Sequence, residues 1–364
     1  MTPAGPGGPL PIRRLLHGPP APPGRILYTG VWFRGHNNPR YAELLPRLER
    51  LDRFLLTLAE RSPLRGVEYR AWRATRRLTD PVILGAGGRR YRSLLTADNE
   101  QIAYWPGPVV SDIDDPWLTD RDVSLLARPQ VAAYVVTAER TARRYEERGV
   151  EHPWYVIPQG VSLRDVTPGL VADIARRHRR DEVVVGYMAA FLLTRTDRGG
   201  DNDMYSVEHL LELWEAIRAR VPRARLWLLG DAGPGLRTRV AGRDDIVLFG
   251  RVPRSEILAY AANFDVALYA RTEDRGVQAA KIADYLGAGA PIVSYDFEVV
   301  EELRGSGAAL LADSPRDFVD AVARLAEDAP LRAGLAAASR SLGEARDWDA
   351  LARRYAEILD AHLP

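Results

Sequence analysis

Cysteine is absent from the 364-residue chain, which excludes disulfides, thiol nucleophiles and thiolate-held zinc. Lysine is almost as scarce: arginine carries the positive charge nearly everywhere, and Lys281 stands as a lone lysine. An excess of either charge is also missing. With 50 basic and 49 acidic side chains the formal charge is +1, so no bulk field draws the chain to nucleic acid or to an anionic membrane, and only local basic sites remain. No segment approaches the roughly 20 uninterrupted apolar residues of a membrane span. The start, "MTPAGPGGPLPIRRLLHGPPAPPG", is too rich in proline and glycine for a helix and has no apolar run long enough for a signal segment, so residues 1–24 are expected to form a flexible tail. A cytoplasmic protein with no nucleic-acid partner is expected, with peripheral membrane contact left open.

What is present is a globular composition, 46% apolar, on a chain longer than one hydrophobic core usually serves. Two domains are expected. From Arg25 onward short apolar runs alternate with longer stretches of helical spacing, which predicts an α/β architecture with mainly parallel sheets. In the first half "RILYTGVWF", "PVILG", "SLLTA", "GPVVSDI" and "AAYVVTA" read as strands, and "RYAELLPRLERLDRFLLTLAERS" reads as a helix. The segment "PWYVIPQGVSL", Pro153 to Leu163, closes that series, and the polar stretch to about Arg180 reads as irregular. The alternation then restarts with "EVVVGYMAAF", "YSVEHLLELWEAIRARV", "ARLWLLG", "IVLFG", "RSEILAYAANF", "DVALYA", "APIVSYD" and "GAALLA". The expected division is 25–160 and 161–345, followed by a helix over 346–364 that either caps a sheet or crosses back to the first domain.

Two successive α/β halves, with "VIPQGV", "ARLWLLGDAG", "VLFGRVPRSEILAYAANFDVALYAR" and "KIADYLGAGAPIV" in that order, together resemble the retaining GT-B glycosyltransferases of the group 4-like (glycosyl transferases group 1) superfamily. The resemblance runs from Val131 to Val293 and is weak before Gly107. It implies a GT-B fold, two Rossmann-like domains facing across a cleft. It also implies a sugar nucleotide lying at the carboxyl ends of the second domain's strands and an acceptor on the first domain, in keeping with the rule that open parallel sheets bind ligands at those strand ends. Closure of such a cleft would keep water from the donor.

The candidate residues follow. Gly276 permits a tight turn and close approach to a ligand, and the helix opening at Gly276 and Val277 offers free N–H groups and a positive dipole end to a diphosphate. Lys281 adds a full charge where negative charge develops on a departing diphosphate. Asp284, three residues on, is suited to ribose hydroxyls, the task the resemblance gives to an acid at that position. The competing reading is a surface Lys281–Asp284 pair worth about 0.3 to 0.5 kcal/mol. Many relatives carry a second acid at the place of Gly276; here it is missing, and Glu273 and Asp274 do not have its spacing. After the strand "EVVVGYMAAF", Arg195 and Arg198 stand where relatives supply basic residues to the diphosphate, a task that suits the guanidinium fork. The resemblance also places backbone around Arg251 and Val252 at the base edge; as an ordinary loop the same segment has Pro253 near a helix start and Ser255 as its cap.

In the first half, Asp112, Asp114 and Asp115 follow a buried strand, and Asp114 is the residue placed to orient or deprotonate an acceptor hydroxyl. The alternatives are acids that cap a turn, or the metal-binding "DID" of the other glycosyltransferase fold. The loop "TGVWFRGHNN" supplies Gly35 as a cleft-facing backbone position, with Arg34 and His36 as lesser candidates. No cluster of His and carboxylates demands a metal.

The expected reaction is hexosyl transfer from a nucleoside diphosphate sugar of UDP or GDP type to a hydroxyl acceptor, whether glycan, lipid-linked or small molecule, by a monomer or homodimer. The resemblance implies retention of configuration, and Lys281, the helical N–H groups and Arg195 would stand in place of a divalent metal. High arginine and alanine usage points to a bacterial source and to envelope glycans or glycosylated natural products. A GT-B sugar-nucleotide epimerase and a non-catalytic sugar-nucleotide binding protein are the alternatives. A nicotinamide enzyme is disfavoured, since "GDAGPGLR" lacks the fingerprint spacing and reads as a turn.

Overall fold

The computed structural model describes residues 10–33, 39–58, 65–114, 116, 118–198, 207–272 and 280–364. The chain divides into two units: Met1–Pro158 together with Trp348–Pro364, and Gln159–Asp347.

The first unit holds six strands, β1 (Ile26–Phe33), β2 (Leu51–Leu58), β3 (Ser93–Thr96), β4 (Val109–Ile113), β5 (Val131–Val136) and β6 (Trp154–Val156), in the order β2-β1-β3-β4-β5-β6. All neighbours pair in parallel. Such a sheet is covered on both faces, so its inner strands are continuous apolar runs rather than alternating ones. Successive residues still point to opposite faces. Leu27, Leu94 and Val109 pack with Leu15, Leu84 and Trp105. Their neighbours Ile26, Leu95 and Val110 pack on the other side with Trp348, Leu351 and Tyr355 of the helix Trp348–His362. That last helix therefore completes the core of the first unit.

The second unit has β7 (Val183–Leu192), β8 (Ala224–Ala232), β9 (Ile246–Gly250), β10 (Val266–Tyr269), β11 (Ile292–Tyr295) and β12 (Ala309–Ala312), ordered β12-β11-β10-β7-β8-β9. These are again parallel throughout. From β7 the chain builds outward through β8 to β9, then returns to the other side of β7 with β10 and continues to β12. The strand order thus reverses between β7 and β10, the position at which doubly wound sheets open a crevice for ligands. Among the described residues no helix is long and apolar enough to cross a membrane.

Four expectations are corrected by the structure. The stretch read as one helix from Arg40 to Ser62 breaks into a short helix, Pro39–Leu44, and the edge strand β2. Pro46 interrupts the helical ladder, and "LDRFLLTL" satisfies a strand period once β1 lies beside it in register from Ile26–Leu51 to Phe33–Leu58. "PVILG" lies inside the helix Arg65–Gly88, not in a strand. A short apolar run does not distinguish the two, and here Leu84 is buried while Leu78 and Val82 are exposed, the signature of a helix face. The stretch before Arg180 is ordered as the helix Pro168–His178, with Pro168 at its first position and Ile174 buried. Within the expected tail, Ile12–His17 forms a helix because Leu10 and Leu15 bury apolar side chains in the first unit's core.

Candidate functional site

The pairing of β7 with β10 is short: Val185 faces Val266 and Gly186 faces Ala267. Immediately beyond, the hydroxyl of Tyr285 sits where a ladder bond would otherwise form. It accepts from Met188 N–H at 3.2 Å and donates to Leu268 O at 3.1 Å. Tyr285 belongs to the helix Ala280–Ala288, which carries Lys281 one turn earlier. The Lys281 ammonium lies 4.2 Å from the centre of the Tyr187 ring on β7 and 5.9 Å from that of Tyr269 on β10. It therefore spans the two strands between which the order reverses. A cation over an aromatic face gains about 0.5 to 2 kcal/mol, and the rings, unlike a carboxylate, do not cancel its charge.

Two glycines shape the end of this helix. A Cβ on Gly287 would stand 2.5 Å from Val161 Cγ2, well inside van der Waals contact. Gly289, with φ of +69°, ends the helix in the left-handed region that favours glycine. "YLGAG" is thus the sequence of a helix that must be seated tightly and then stopped.

Asp284 is 4% exposed and does not pair with Lys281. Instead Arg254 grips it end-on, Nη1 to Oδ2 at 2.7 Å and Nη2 to Oδ1 at 2.6 Å. In place of the competing surface pair stand two separate arrangements, a lysine on aromatic rings and a nearly buried bidentate ion pair. Sequence reasoning missed Arg254, because its partner lies thirty residues further along the chain; its place at the start of the helix Arg254–Ala261, directly after Arg251 and Val252, was the only signal. Tyr187 and Tyr269 were hidden inside apolar runs.

The base-edge loop follows β9. Arg251 is exposed, and Val252 packs partly against the core shared with Tyr260 and Ile282. Pro253 caps the next helix by backbone alone, so Ser255 lies inside the first turn and is not the cap. After β7, Arg195 opens the four-residue helix Arg195–Arg198 with its side chain exposed and its N–H donating to Glu208 at 2.9 Å. The loop is tied down by Asp197, which accepts from Thr194 Oγ1 at 2.7 Å and from Gly235 N–H at 2.9 Å. These bonds, those from Thr194 first, hold the Asp197 carboxyl below its ordinary value. "GDAGPGLR" is consequently the end of β8 and a turn into the helix Pro234–Val240.

In the first unit the acids of "DID" separate. Asp112 is 2% exposed and paired with fully buried Arg40. Arg40 Nε lies 3.1 Å from both carboxylate oxygens, Tyr355 donates to Oδ2 at 3.1 Å, and Arg40 Nη1 reaches Ile157 O at 2.8 Å. Burial pushes the Asp112 carboxyl up from its ordinary value, and Arg40 pulls against that. This is a buried ion-pair network in the core of the first unit. Asp114, at the carboxyl end of β4, is half-buried. Gly276, Val277, Gly35, Arg34, His36, Glu273, Asp274 and Asp115 lie outside the described residues, as does the side chain of Arg198.

Residues 201–328 match the family described as Glycosyl transferases group 1. Among solved structures, Anabaena HepE in complex with UDP and glucose is 14% identical with a TM-score of 0.68, covering 93% of this chain and 99% of that one. Sucrose-phosphate synthase from Thermosynechococcus elongatus is 13% identical, with a TM-score of 0.66 and coverage of 93% and 98%. WaaG, a glycosyltransferase involved in lipopolysaccharide biosynthesis, is 12% identical, with a TM-score of 0.62 and coverage of 92% and 99%. No curated protein matches the chain in sequence. The second unit thus matches the group 1 glycosyltransferase family over residues 201–328, and the chain as a whole shares the GT-B fold of these structures.

Proposed function

We propose that the chain moves a hexosyl group from a nucleoside diphosphate sugar to a hydroxyl acceptor, with retention of configuration and without a divalent metal. The observation that supports this reading is the lone lysine, Lys281, held over Tyr187 at the reversal of the second sheet. A diphosphate leaving group gains charge as its bond to the sugar breaks. A fixed ammonium in that place stabilises the transition state more than the bound donor. Arg195 is the second cation proposed for the diphosphate, with Arg198 beside it in sequence, and Asp284 is proposed to receive ribose hydroxyls. Backbone at Arg251 and Val252 is proposed for the base edge, and that at Gly276, Val277 and Gly35 for the phosphates. Asp114 is proposed to serve the acceptor hydroxyl in the first unit. No cofactor beyond the donor is invoked, and a bacterial cytoplasmic pathway for glycans or glycosylated natural products is the setting inferred.

Uridine diphosphate is the nucleotide to try first, since the HepE structure of like fold holds UDP and glucose. Thermal melting in UDP, GDP and their hexose conjugates selects the donor: a ligand at 100 times its Kd stabilises by about 2.7 kcal/mol. The selected donor is then followed by nuclear magnetic resonance with a panel of hydroxyl acceptors. Acceptor-dependent release of the nucleotide with a new α-linked glycoside is expected. A donor epimerised without acceptor would replace transfer by sugar-nucleotide epimerisation, and tight binding with no turnover under any acceptor would leave a sugar-nucleotide binding protein.

A further inference from the structure

We infer that Arg254 is a positioning residue through which the ribose of the donor is read; the inference rests on the sugar-nucleotide function proposed above. An ionised carboxylate offers about four lone-pair positions. Arg254 takes one on each oxygen of Asp284, at 2.6 and 2.7 Å. Two parallel bonds fix the plane of the carboxylate as a single bond does not. The remaining positions then point in set directions, toward which two neighbouring ribose hydroxyls can donate.

The pairing also makes a nearly buried acid tolerable. The Asp284 side chain is 6% exposed and that of Arg254 35%, so the carboxylate is withdrawn from water while the arginine stays part-exposed. Arg254 further links two elements. It begins the helix that follows the base-edge loop, whereas Asp284 sits on the helix that carries Lys281. Lysine, a point charge with no fork, does not reproduce this geometry.

The test compares Kd values by calorimetry for UDP and GDP against their 2′-deoxy and 3′-deoxy counterparts, in the wild-type chain and in Arg254→Ala, Arg254→Gln and Arg254→Lys. The wild type is expected to prefer a ribonucleotide at least about tenfold over one of the deoxy forms, the order of one charged hydrogen bond. That preference is expected to fall below about threefold in Arg254→Ala and Arg254→Gln and to be recovered only in part by Arg254→Lys. Equal preference in wild type and variants, even with weaker binding overall, overturns the inference, because a purely structural role lowers both affinities together. Loss of preference with Lys281-dependent diphosphate binding retained supports it. If the wild type binds no nucleoside diphosphate, the proposed function itself is overturned. If it binds them without regard to the sugar hydroxyls, the role of Arg254 alone is overturned.

Discussion

Lys281→Ala is expected to lower kcat for glycosyl transfer by about 10² to 10³, or about 2.7 to 4 kcal/mol of transition-state stabilisation, with KM changing much less. The asymmetry follows from when the charge is needed. The bound donor already carries its diphosphate, but the extra negative charge appears only as the sugar departs. Among the described residues Lys281 has no carboxylate partner: Asp284 is engaged by Arg254, and the ammonium rests on the rings of Tyr187 and Tyr269. Circular dichroism of the variant should therefore match the wild type. Lys281→Arg keeps the charge and should recover part of the rate, since a longer planar group does not place its charge at the same point above Tyr187. Turnover unchanged in Lys281→Ala would remove this residue from the mechanism.

Breaking the Arg40–Asp112 pair is expected to have the largest effect on stability. Both side chains are essentially out of water, at 0% and 2% exposure. Taking away one partner leaves an uncompensated buried charge, at a cost of about 3 to 5 kcal/mol. Arg40→Met should therefore shift the first unit's urea transition markedly downward. The double variant Arg40→Met with Asp112→Leu should recover much of the loss, because apolar groups of similar volume can replace a buried pair. Tyr355 and the Ile157 carbonyl, which also bond to the pair, will keep the recovery incomplete. A loss below about 1 kcal/mol in Arg40→Met, read from the denaturation midpoint, would show that the pair is not the keystone of that core.

How far the sequence could be read depended on where each residue's partner lies. The strands of the second unit were legible because each is a continuous apolar run closed by glycine or a turn, as in "ARLWLLG" and "IVLFG". In the first unit "LDRFLLTL" and "PVILG" misled because short apolar runs fit either period, and the choice was made by β1 in one case and by the packing of Leu84 in the other. The candidate site drew attention in the sequence where composition marked it: a single lysine among arginines, followed by a glycine-rich helix end. It was illegible where chemistry joins distant residues. Asp112 and Asp114 look alike in "DID", yet Asp112 is covered by Tyr355, 243 residues later, and only the fold reveals that one acid is structural. Arg254 was hidden for the same reason. Nothing local in "VPRSEI" announces a partner on another helix.

The lone lysine also permits a direct observation. Reductive methylation with ¹³C-formaldehyde leaves the charge in place and labels a single ε-amine, distinct in shift from the terminal α-amine. Held over the Tyr187 ring, the dimethyl resonance of Lys281 should lie upfield in the ligand-free chain. Titration with the selected nucleoside diphosphate should move it saturably, whereas the nucleoside alone should leave it in place. A resonance that stays fixed while the diphosphate binds, or that responds equally to the nucleoside, would contradict the assignment of Lys281 to the diphosphate.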